Sequence, residues 1–151
     1  MNAGGGALPL EEFGVNDRND WNHKVIEEFR ANGGSVEQFK GIPILLLHHT
    51  GAKSGRAYVN PLAYLPDGER MVIFASMGGA PKNPDWYHNL VAHPDVQVEL
   101  GDGKVFAAKA TVTEGAEHDR LYAAQSARVP VFAEYQKKTT RVIPVVVLER
   151  S

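Results

Sequence analysis

Apolar and polar residues alternate in short runs along much of the chain, and this period of two predicts β-strands joined by tight turns. Pro66-Asp67-Gly68 and Gly101-Asp102-Gly103 are typical of hairpins, because residues that favour turns separate two apolar runs there. The unbroken apolar run from Val145 to Leu148 predicts a strand that is buried on both faces. The predicted strands span residues 42–49, 58–65, 70–76, 96–100, 104–113 and 143–148.

Helical spacing of apolar residues marks a segment near the start of the chain. The residues of this apolar stripe are Trp21, Val25, Ile26 and Phe29. We expect Asp20 to cap the helix and Gly33-Gly34 to end it. Residues 1–18 are rich in glycine, asparagine and aspartate and lack this period, which predicts a flexible leader.

Three more helical segments follow. Asn83 before Pro84 predicts a short helix with Asn83 as its cap and Pro84 in its first helical position. Residues 114–127 predict a helix with Leu121 and Tyr122 inward, and residues 130–137 predict a short helix or turn. Because hairpins join most of the roughly six strands, a doubly wound parallel sheet is excluded. The pattern predicts a mostly β fold, a small antiparallel barrel with flanking helices, formed by residues 19–151 as a single domain.

Composition narrows the classes of function. With 43% hydrophobic and 23% charged residues, the 151-residue chain is typical of a folded soluble domain. Its net charge of −2 provides no overall basic field, so nucleic acid is not an expected partner. The chain contains no cysteine, which excludes disulfides and thiolate chemistry. No apolar run of signal-peptide or transmembrane type is present, and we expect a cytoplasmic location.

A glycine-punctuated turn at residues 51–56 carries the cations Lys53 and Arg56. Such a turn can present backbone N–H groups and positive charge to a phosphate-bearing ligand. For this segment alone, a solvated loop without further function is the alternative. The Gly-x4-Gly-Lys-Ser/Thr order of a P-loop is absent, so the turn does not predict hydrolysis of nucleoside triphosphates.

Between Phe74 and Leu90 the sequence predicts a strand end, a glycine bend and a capped aromatic helix. Together with the 51–56 turn, Ala92-His93-Pro94-Asp95-Val96 and Ile143-Pro144-Val145-Val146-Val147, this segment resembles the deazaflavin-dependent nitroreductase family, also called coenzyme F420-dependent quinone reductases. The resemblance covers roughly residues 42–149. It implies a split β-barrel related to flavin reductases and a cofactor, coenzyme F420, which is an 8-hydroxy-5-deazaflavin. It also implies hydride transfer to a planar acceptor such as a quinone, an enone or a nitroaromatic.

The resemblance implies four groups of cofactor contacts. The tail is expected at Ala52, Lys53, Ser54 and Arg56, and the following strand supplies Tyr58, Val59, Asn60, Pro61, Leu62 and Ala63. The ring is expected beside Phe74, Ala75, Ser76 and Met77, and against Asp85, Trp86, Tyr87, His88 and Asn89. Ser76 and Tyr135 are the candidate catalytic residues, and Phe132 is expected to stack on a ring. The family commonly has basic residues in place of Ala52, Tyr58 and Met77, which leaves Lys53 and Arg56 as the cations of the turn.

A barrel that binds a flavin, a deazaflavin or an apolar ligand without catalysis is the alternative function. No metal site is expected, because the neighbours His48 and His49 point to opposite faces of a strand. A hydrolase is not expected either, because no Gly-x-Ser-x-Gly elbow is present. The polar leader does not favour membrane attachment, although the resemblance leaves peripheral association open. Both a monomer and a homodimer are compatible with it.

Overall fold

The first helix begins earlier than the apolar stripe predicts. A computed structural model of the protein describes the backbone of residues 15–151 and the side chains of residues 20–151. Helix α1 spans Val15–Ala31, so Asp20 lies inside the helix and the prediction that it caps the helix is wrong. No glycine or proline stands between Val15 and Gly33, and the backbone can therefore remain helical beyond the apolar stripe. The predicted leader otherwise lies outside the described residues.

One antiparallel sheet of seven strands contains all the strand pairings among the described residues, which confirms the predicted mostly β fold but adds one strand to the six expected. The strands are β1 (Ile44–Thr50), β2 (Ala57–Ala63), β3 (Leu65–Asp67), β4 (Arg70–Phe74), β5 (Asp95–Glu99), β6 (Val105–Val112) and β7 (Val145–Arg150). Their order in the sheet is β2-β1-β5-β6-β7-β4-β3. Consecutive strands β2 and β3 therefore lie at opposite edges of the sheet.

The extra strand arises where one continuous strand, residues 58–65, was predicted. After Ala63 the Tyr64 N–H donates to the Pro43 carbonyl oxygen at 3.0 Å, which completes the pairing with β1. Leu65 then pairs with Val72 on β4 instead. The prediction was wrong because alternation along the sequence does not reveal that a strand changes its partner.

The helices after α1 are a 3-10 turn η1 (Glu37–Phe39), a second 3-10 turn η2 (Met77–Gly79), α2 (Asp85–Ala92), α3 (Gly115–Arg128) and α4 (Val131–Lys137). Helix α2 starts one residue later than predicted, because Pro84 is extended with ψ 158° and occupies the cap position itself. Leu121 and Tyr122 of α3 are buried, as predicted. None of the described helices is both long enough and apolar enough to cross a membrane.

Three hydrophobic clusters show how the sheet curls. The interior cluster draws on β1, β4, β5, β6 and β7 and includes Leu45, Ile73 and Val98. On the outside, α1 covers β1 with Phe29 over Leu46, while α3 and α4 cover β4 and β7. The sheet is therefore an open barrel with a packed interior and helices on two parts of its outer surface.

One end of this barrel gathers the segments that the sequence marked as functional. Strand β1 ends there and leads into the 51–56 turn, and β4 ends there and leads into η2. Helix α2 leads into β5 at the same end, because β5 runs antiparallel to β1. The antiparallel pairing of Phe74 with Val145 brings the start of β7 to this end as well. We call it the upper end of the barrel.

Candidate functional site

The 51–56 turn is closed by its own backbone. The Gly51 N–H donates to the Arg56 carbonyl at 2.8 Å, and the Gly55 N–H donates to the Gly51 carbonyl at 3.0 Å. A Cβ at position 51 would collide with Ser54 Oγ and lie 3.0 Å from Tyr58 Cε2. A side chain at this position would therefore force Ser54 to move, and glycine avoids this collision. Gly51 was not among the predicted site residues.

Lys53 and Arg56 leave the turn as exposed side chains. Neither forms an ion pair with any residue that the structure describes, whereas Arg30, Arg70 and Arg120 all contact carboxylates. A cation without a protein counter-charge is available to an external anion. The turn therefore has the donor set that an anionic ligand tail needs.

A chain of side-chain hydrogen bonds ties the turn to β2 and α2. Asn60 Oδ1 lies 2.7 Å from His49 Nε2, and the Asn89 amide nitrogen lies 3.1 Å from His49 Nδ1. The Asn89 amide oxygen accepts from the Ala52 N–H at 2.8 Å. We call His49, Asn60 and Asn89 the histidine tether. Through it, a buried histidine positions the backbone of the cation-bearing turn.

The contacts of His49 define its tautomer. Asn60 offers an oxygen, so His49 Nε2 carries the proton, and Asn89 offers an amide N–H, so Nδ1 accepts. Burial lowers the pKa of the His49 imidazole, and the hydrogen bond to Asn60 offsets this only in part. The exposed Tyr58 ring stacks on the imidazole with a centroid distance of 5.8 Å. The neutral His49 ring thus supports the exposed Tyr58 ring from the side of the barrel interior.

The two faces of β2 have different surroundings. Tyr58 and Asn60 contact His49, and Leu62 packs against the interior cluster. Val59 and Ala63 pack instead against the α1 cluster, and Pro61 between them is buried. Successive side chains of a strand point to opposite faces, so the six residues expected along the cofactor do not share one surface. The structure brings Tyr58, Asn60 and Leu62 together.

The segment after β4 departs from extended backbone. Phe74 faces the α3–α4 cluster, Ala75 faces the interior, and Ser76 has helical backbone angles. Ser76 is only 5% exposed, yet its hydroxyl makes no hydrogen bond with the residues that the structure describes. Met77 has φ 46°, a left-handed conformation that is unfavourable for a residue with a side chain. Strain of this kind is concentrated at functional sites.

The residues of α2 that were predicted to contact the cofactor lie partly in the interior and partly in solvent. Trp86 and Asn89 are buried, Tyr87 is half-buried against the interior cluster, and Asp85 and His88 are exposed. Trp86 packs in the cluster that also contains Ala75. The helix therefore reaches the 51–56 turn through Asn89, and its Trp86 contributes to the same interior cluster as Ala75, the residue before Ser76.

Phe132 and Tyr135 lie in the α3–α4 cluster. Phe132 packs on Phe74 with a centroid distance of 5.7 Å, and Tyr135 on Phe132 at 5.2 Å. Tyr135 is 1% exposed. Its backbone borders the bend, since a Cβ on Gly79 would lie 2.8 Å from the Tyr135 carbonyl oxygen. In this arrangement the Tyr135 side chain can contact an acceptor only if α4 moves.

Arg141 also belongs to this end of the barrel, although in the sequence it is only a lone cation before a buried strand. Its Nε donates to the Ala80 carbonyl at 2.9 Å, Nη1 to Asn83 Oδ1 at 2.7 Å, and Nη2 to the Ser76 carbonyl at 3.0 Å. Burial lowers the pKa of its guanidinium. His49 was considered only as a metal ligand, although its alternation with Leu45 and Leu47 already pointed inward.

These features fit a deazaflavin with an anionic tail. The unpaired cations Lys53 and Arg56 at the 51–56 turn match the tail, and the Ser76 hydroxyl, which is free of hydrogen bonds with the described residues, matches a polar ring atom. Close packing of Gly79 on α4 keeps the bend compact, and Ala75 adds no bulk where the bend begins. The residues that would hold the group are therefore Lys53, Arg56, Tyr58 and Ser76.

Comparison with known proteins agrees with a site for a deazaflavin. The model of the F420H(2)-dependent quinone reductase family matches residues 21–150. The chain is 41% identical to a protein named F420H(2)-dependent quinone reductase from Mycobacterium tuberculosis (strain ATCC 25618 / H37Rv), over 80% of this chain and 83% of that protein.

Two solved structures are similar over most of their length. One, described as an F420-H2 dependent reductase, has a TM-score of 0.65 and 42% identity, and the match covers 71% of this chain and 94% of that one. The other, described as a domain-swapped dimer, has a TM-score of 0.66 and 36% identity, with 87% and 98% of the two chains covered.

Proposed function

The chain belongs to the F420H(2)-dependent quinone reductase family and is an F420-dependent oxidoreductase, and we propose that its acceptor is a planar conjugated molecule, a quinone above all. An enone or a nitroaromatic has the same flat, electron-poor character and is a further candidate. The observation that carries the proposal is that two cations without a protein counter-charge and a Ser76 hydroxyl without a hydrogen bond to the described residues lie at the same end of the barrel.

The reduced cofactor supplies a hydride when it is bound, and this is the difficult step of the reaction. The protein's own residues bind and orient the cofactor and the acceptor and shield them from water. Lys53 and Arg56 hold the anionic tail by charge-assisted hydrogen bonds, which are stronger than neutral ones. The histidine tether fixes the position of the 51–56 turn relative to α2. The residues that contact the tail and those that contact the ring are therefore held at a constant distance from each other.

Ser76 is the polar group proposed for the reacting end. An aliphatic hydroxyl is a poor acid at neutral pH, so Ser76 orients the ring or the acceptor by hydrogen bonding rather than giving up its proton. Negative charge develops on the acceptor oxygen as the hydride arrives, and a preorganised donor stabilises that charge. The proton that completes the reduction comes from water or from Tyr135, the second predicted catalytic residue, if α4 moves.

Acceptor-dependent oxidation of the cofactor tests this function. Purified protein is titrated with reduced F420, and the absorbance of the deazaflavin is followed before and after menadione is added. Tight binding followed by menadione-dependent oxidation supports the proposal. Binding without oxidation supports the alternative, a barrel that sequesters its ligand without catalysis. Binding of flavin mononucleotide but not of F420 would contradict the cofactor contacts proposed here.

Self-association is a further part of the proposal. The similar structure described as a domain-swapped dimer supports a homodimer, because the match covers 87% of this chain. Sedimentation of the purified protein across a range of concentrations measures the mass directly. A mass of one chain at all concentrations would contradict the dimer and would leave the oxidoreductase activity untouched.

A further inference from the structure

Arg141 connects two segments that are far apart in the sequence. It stands just before β7, and its three contacts all lie between Ser76 and Asn83, 58 to 65 residues earlier. The acceptors are two backbone carbonyl oxygens and one amide oxygen, and no carboxylate among the described residues contacts Arg141. The guanidinium therefore holds the shape of a loop instead of completing an ion pair.

The loop it holds, residues 76–83, needs an external clamp. It contains Met77 in a left-handed conformation, which strains the backbone at that residue. It also contains Gly78 and Gly79 with positive φ, and glycine restricts the backbone less than other residues do. Its internal bonds are few: Gly79 N–H to Ser76 O at 2.9 Å and Ala80 N–H to Met77 O at 3.1 Å. The Ser76 carbonyl accepts from both Gly79 and Arg141.

We propose that Arg141 is a positioning residue of the reaction, because its three-pronged contact with the 76–83 loop fixes Ser76 at the reacting end of the site. This proposal rests on the F420-dependent function proposed above. The planar guanidinium reaches three acceptors in fixed directions, which the single ammonium of lysine cannot reproduce. Shape, and not positive charge alone, is therefore the property that position 141 supplies.

Two variants separate shape from charge. Arg141→Lys keeps the charge and loses the fork, whereas Arg141→Met loses both. We expect both to lower kcat for menadione by about tenfold or more, since small displacements of a positioned group have effects of that size. The Kd for F420 should change less than threefold or so, because the charge-assisted contacts of Lys53 and Arg56 remain. Asn83→Ala removes one of the three acceptors and should have an intermediate effect on kcat.

The matched control is Arg70→Lys. Arg70 of β4 also connects separate segments, because it contacts Asp67 of β3 and Glu117 of α3. It stands at the start of β4, whereas the upper end of the barrel lies beyond Phe74, the last residue of that strand. We expect this variant to lower the thermal midpoint without changing kcat. A purely structural role of Arg141 would give the same pattern, a lower midpoint with kcat of the folded enzyme unchanged, and would overturn the proposal. Full recovery of kcat in Arg141→Lys would also overturn it, because charge alone would then suffice.

A second measurement does not depend on activity. In the protein without cofactor, amide hydrogen exchange at Gly79 and Ala80 should accelerate in Arg141→Met and Arg141→Lys but not in Arg70→Lys. Unchanged exchange at these amides would show that the loop holds its own shape and would contradict the proposal. If wild-type protein failed to oxidise reduced F420, the reaction would be wrong, yet the exchange data would still decide whether Arg141 orders the loop. Should Arg141→Met fail to fold, Asn83→Ala answers the same two questions.

Discussion

Asn89 donates from its side-chain amide nitrogen to Nδ1 of His49 at 3.1 Å, and this contact requires a neutral imidazole. A proton on Nδ1 would place two donors face to face, and Asn89 cannot turn its amide around without losing the Ala52 N–H. The position of the 51–56 turn therefore depends on His49 remaining unprotonated at Nδ1.

The first prediction concerns the pH dependence of stability. Burial lowers the pKa of His49 from its ordinary value of 6.5, so the unfolded chain binds this proton more readily than the folded chain. The contribution of the neutral histidine is therefore complete above about pH 6.5 and declines as pH falls from there through the folded-state pKa. Urea unfolding of the wild type between pH 8 and pH 5 should show this loss.

His49→Gln should flatten that profile, because glutamine can occupy the tether but does not titrate. It should also lower the free energy of unfolding at pH 8 by about 1–3 kcal/mol, the usual cost of disturbing buried hydrogen bonds. The exposed His23→Gln is the matched control and should retain the slope of the wild type. An identical slope in His49→Gln would show that His49 does not cause the loss.

The second prediction concerns Lys53. Lys53→Ala should weaken binding of F420 by about tenfold, which corresponds to one lost charge-assisted contact. Turnover at saturating cofactor should change little, because the charge faces the tail and not the ring. Lys109→Ala is the control, because it removes another exposed lysine, on the outer face of β6, that forms no ion pair with the described residues. The difference between the two variants should shrink as salt is raised from about 50 to about 500 mM. Equal affinity in both variants would contradict the role of Lys53.

The third prediction concerns the strain at Met77. Its φ of 46° is tolerated by glycine but disfavours any residue with a Cβ. Met77→Gly should therefore be more stable than Met77→Ala by about 1 kcal/mol, although glycine is normally the less stabilising of the two. At Ala123 in the exposed part of α3, replacement by glycine should cost about 1 kcal/mol, the opposite sign. If alanine proved more stable than glycine at position 77 as well, the left-handed conformation would be wrong.

The fourth prediction separates collision from backbone strain. Gly79 and Gly103 have nearly equal φ of +86° and +84°, but a Cβ on Gly79 would lie 2.8 Å from the Tyr135 carbonyl, whereas one on Gly103 would meet nothing within 4 Å. Gly79→Ala should cost at least about 1 kcal/mol more than Gly103→Ala in urea unfolding, because α4 or the bend must shift. Gly79→Ala should also lower kcat, since the same bend carries Ser76. Equal costs would mean that η2 and α4 do not pack as described.

Local patterns in the sequence were sufficient for most of the sheet. Both predicted hairpins form, since Asp67 pairs with Arg70 and Glu99 with Val105 across the expected turns. The buried run from Val145 to Leu148 is buried throughout. These features depend on residues that are close in the chain, where turn chemistry and side-chain period determine the outcome.

Features that depend on which strand a residue pairs with, or on a partner far away in the chain, were missed or misplaced. The predicted strand over residues 58–65 is split because Leu65 pairs with Val72 and not with β1. Asn83 was predicted to cap α2, but its side chain binds Arg141 instead. The predicted contacts of the cofactor with β2 and with Tyr135 remain predictions, although the structure separates Val59 and Ala63 from Tyr58 and Asn60.

The sequence by itself determined the antiparallel hairpins, the class of fold, the cations of the 51–56 turn and the resemblance that led to F420. Only the tertiary structure decided which of these residues meet. His49 and Asn89 are 40 positions apart, and Arg141 and Ser76 are 65 positions apart, so no local period could reveal their contacts. Such contacts form when the curled sheet brings the ends of β1 and β4 together with the start of β7, and that closure is a property of the whole fold.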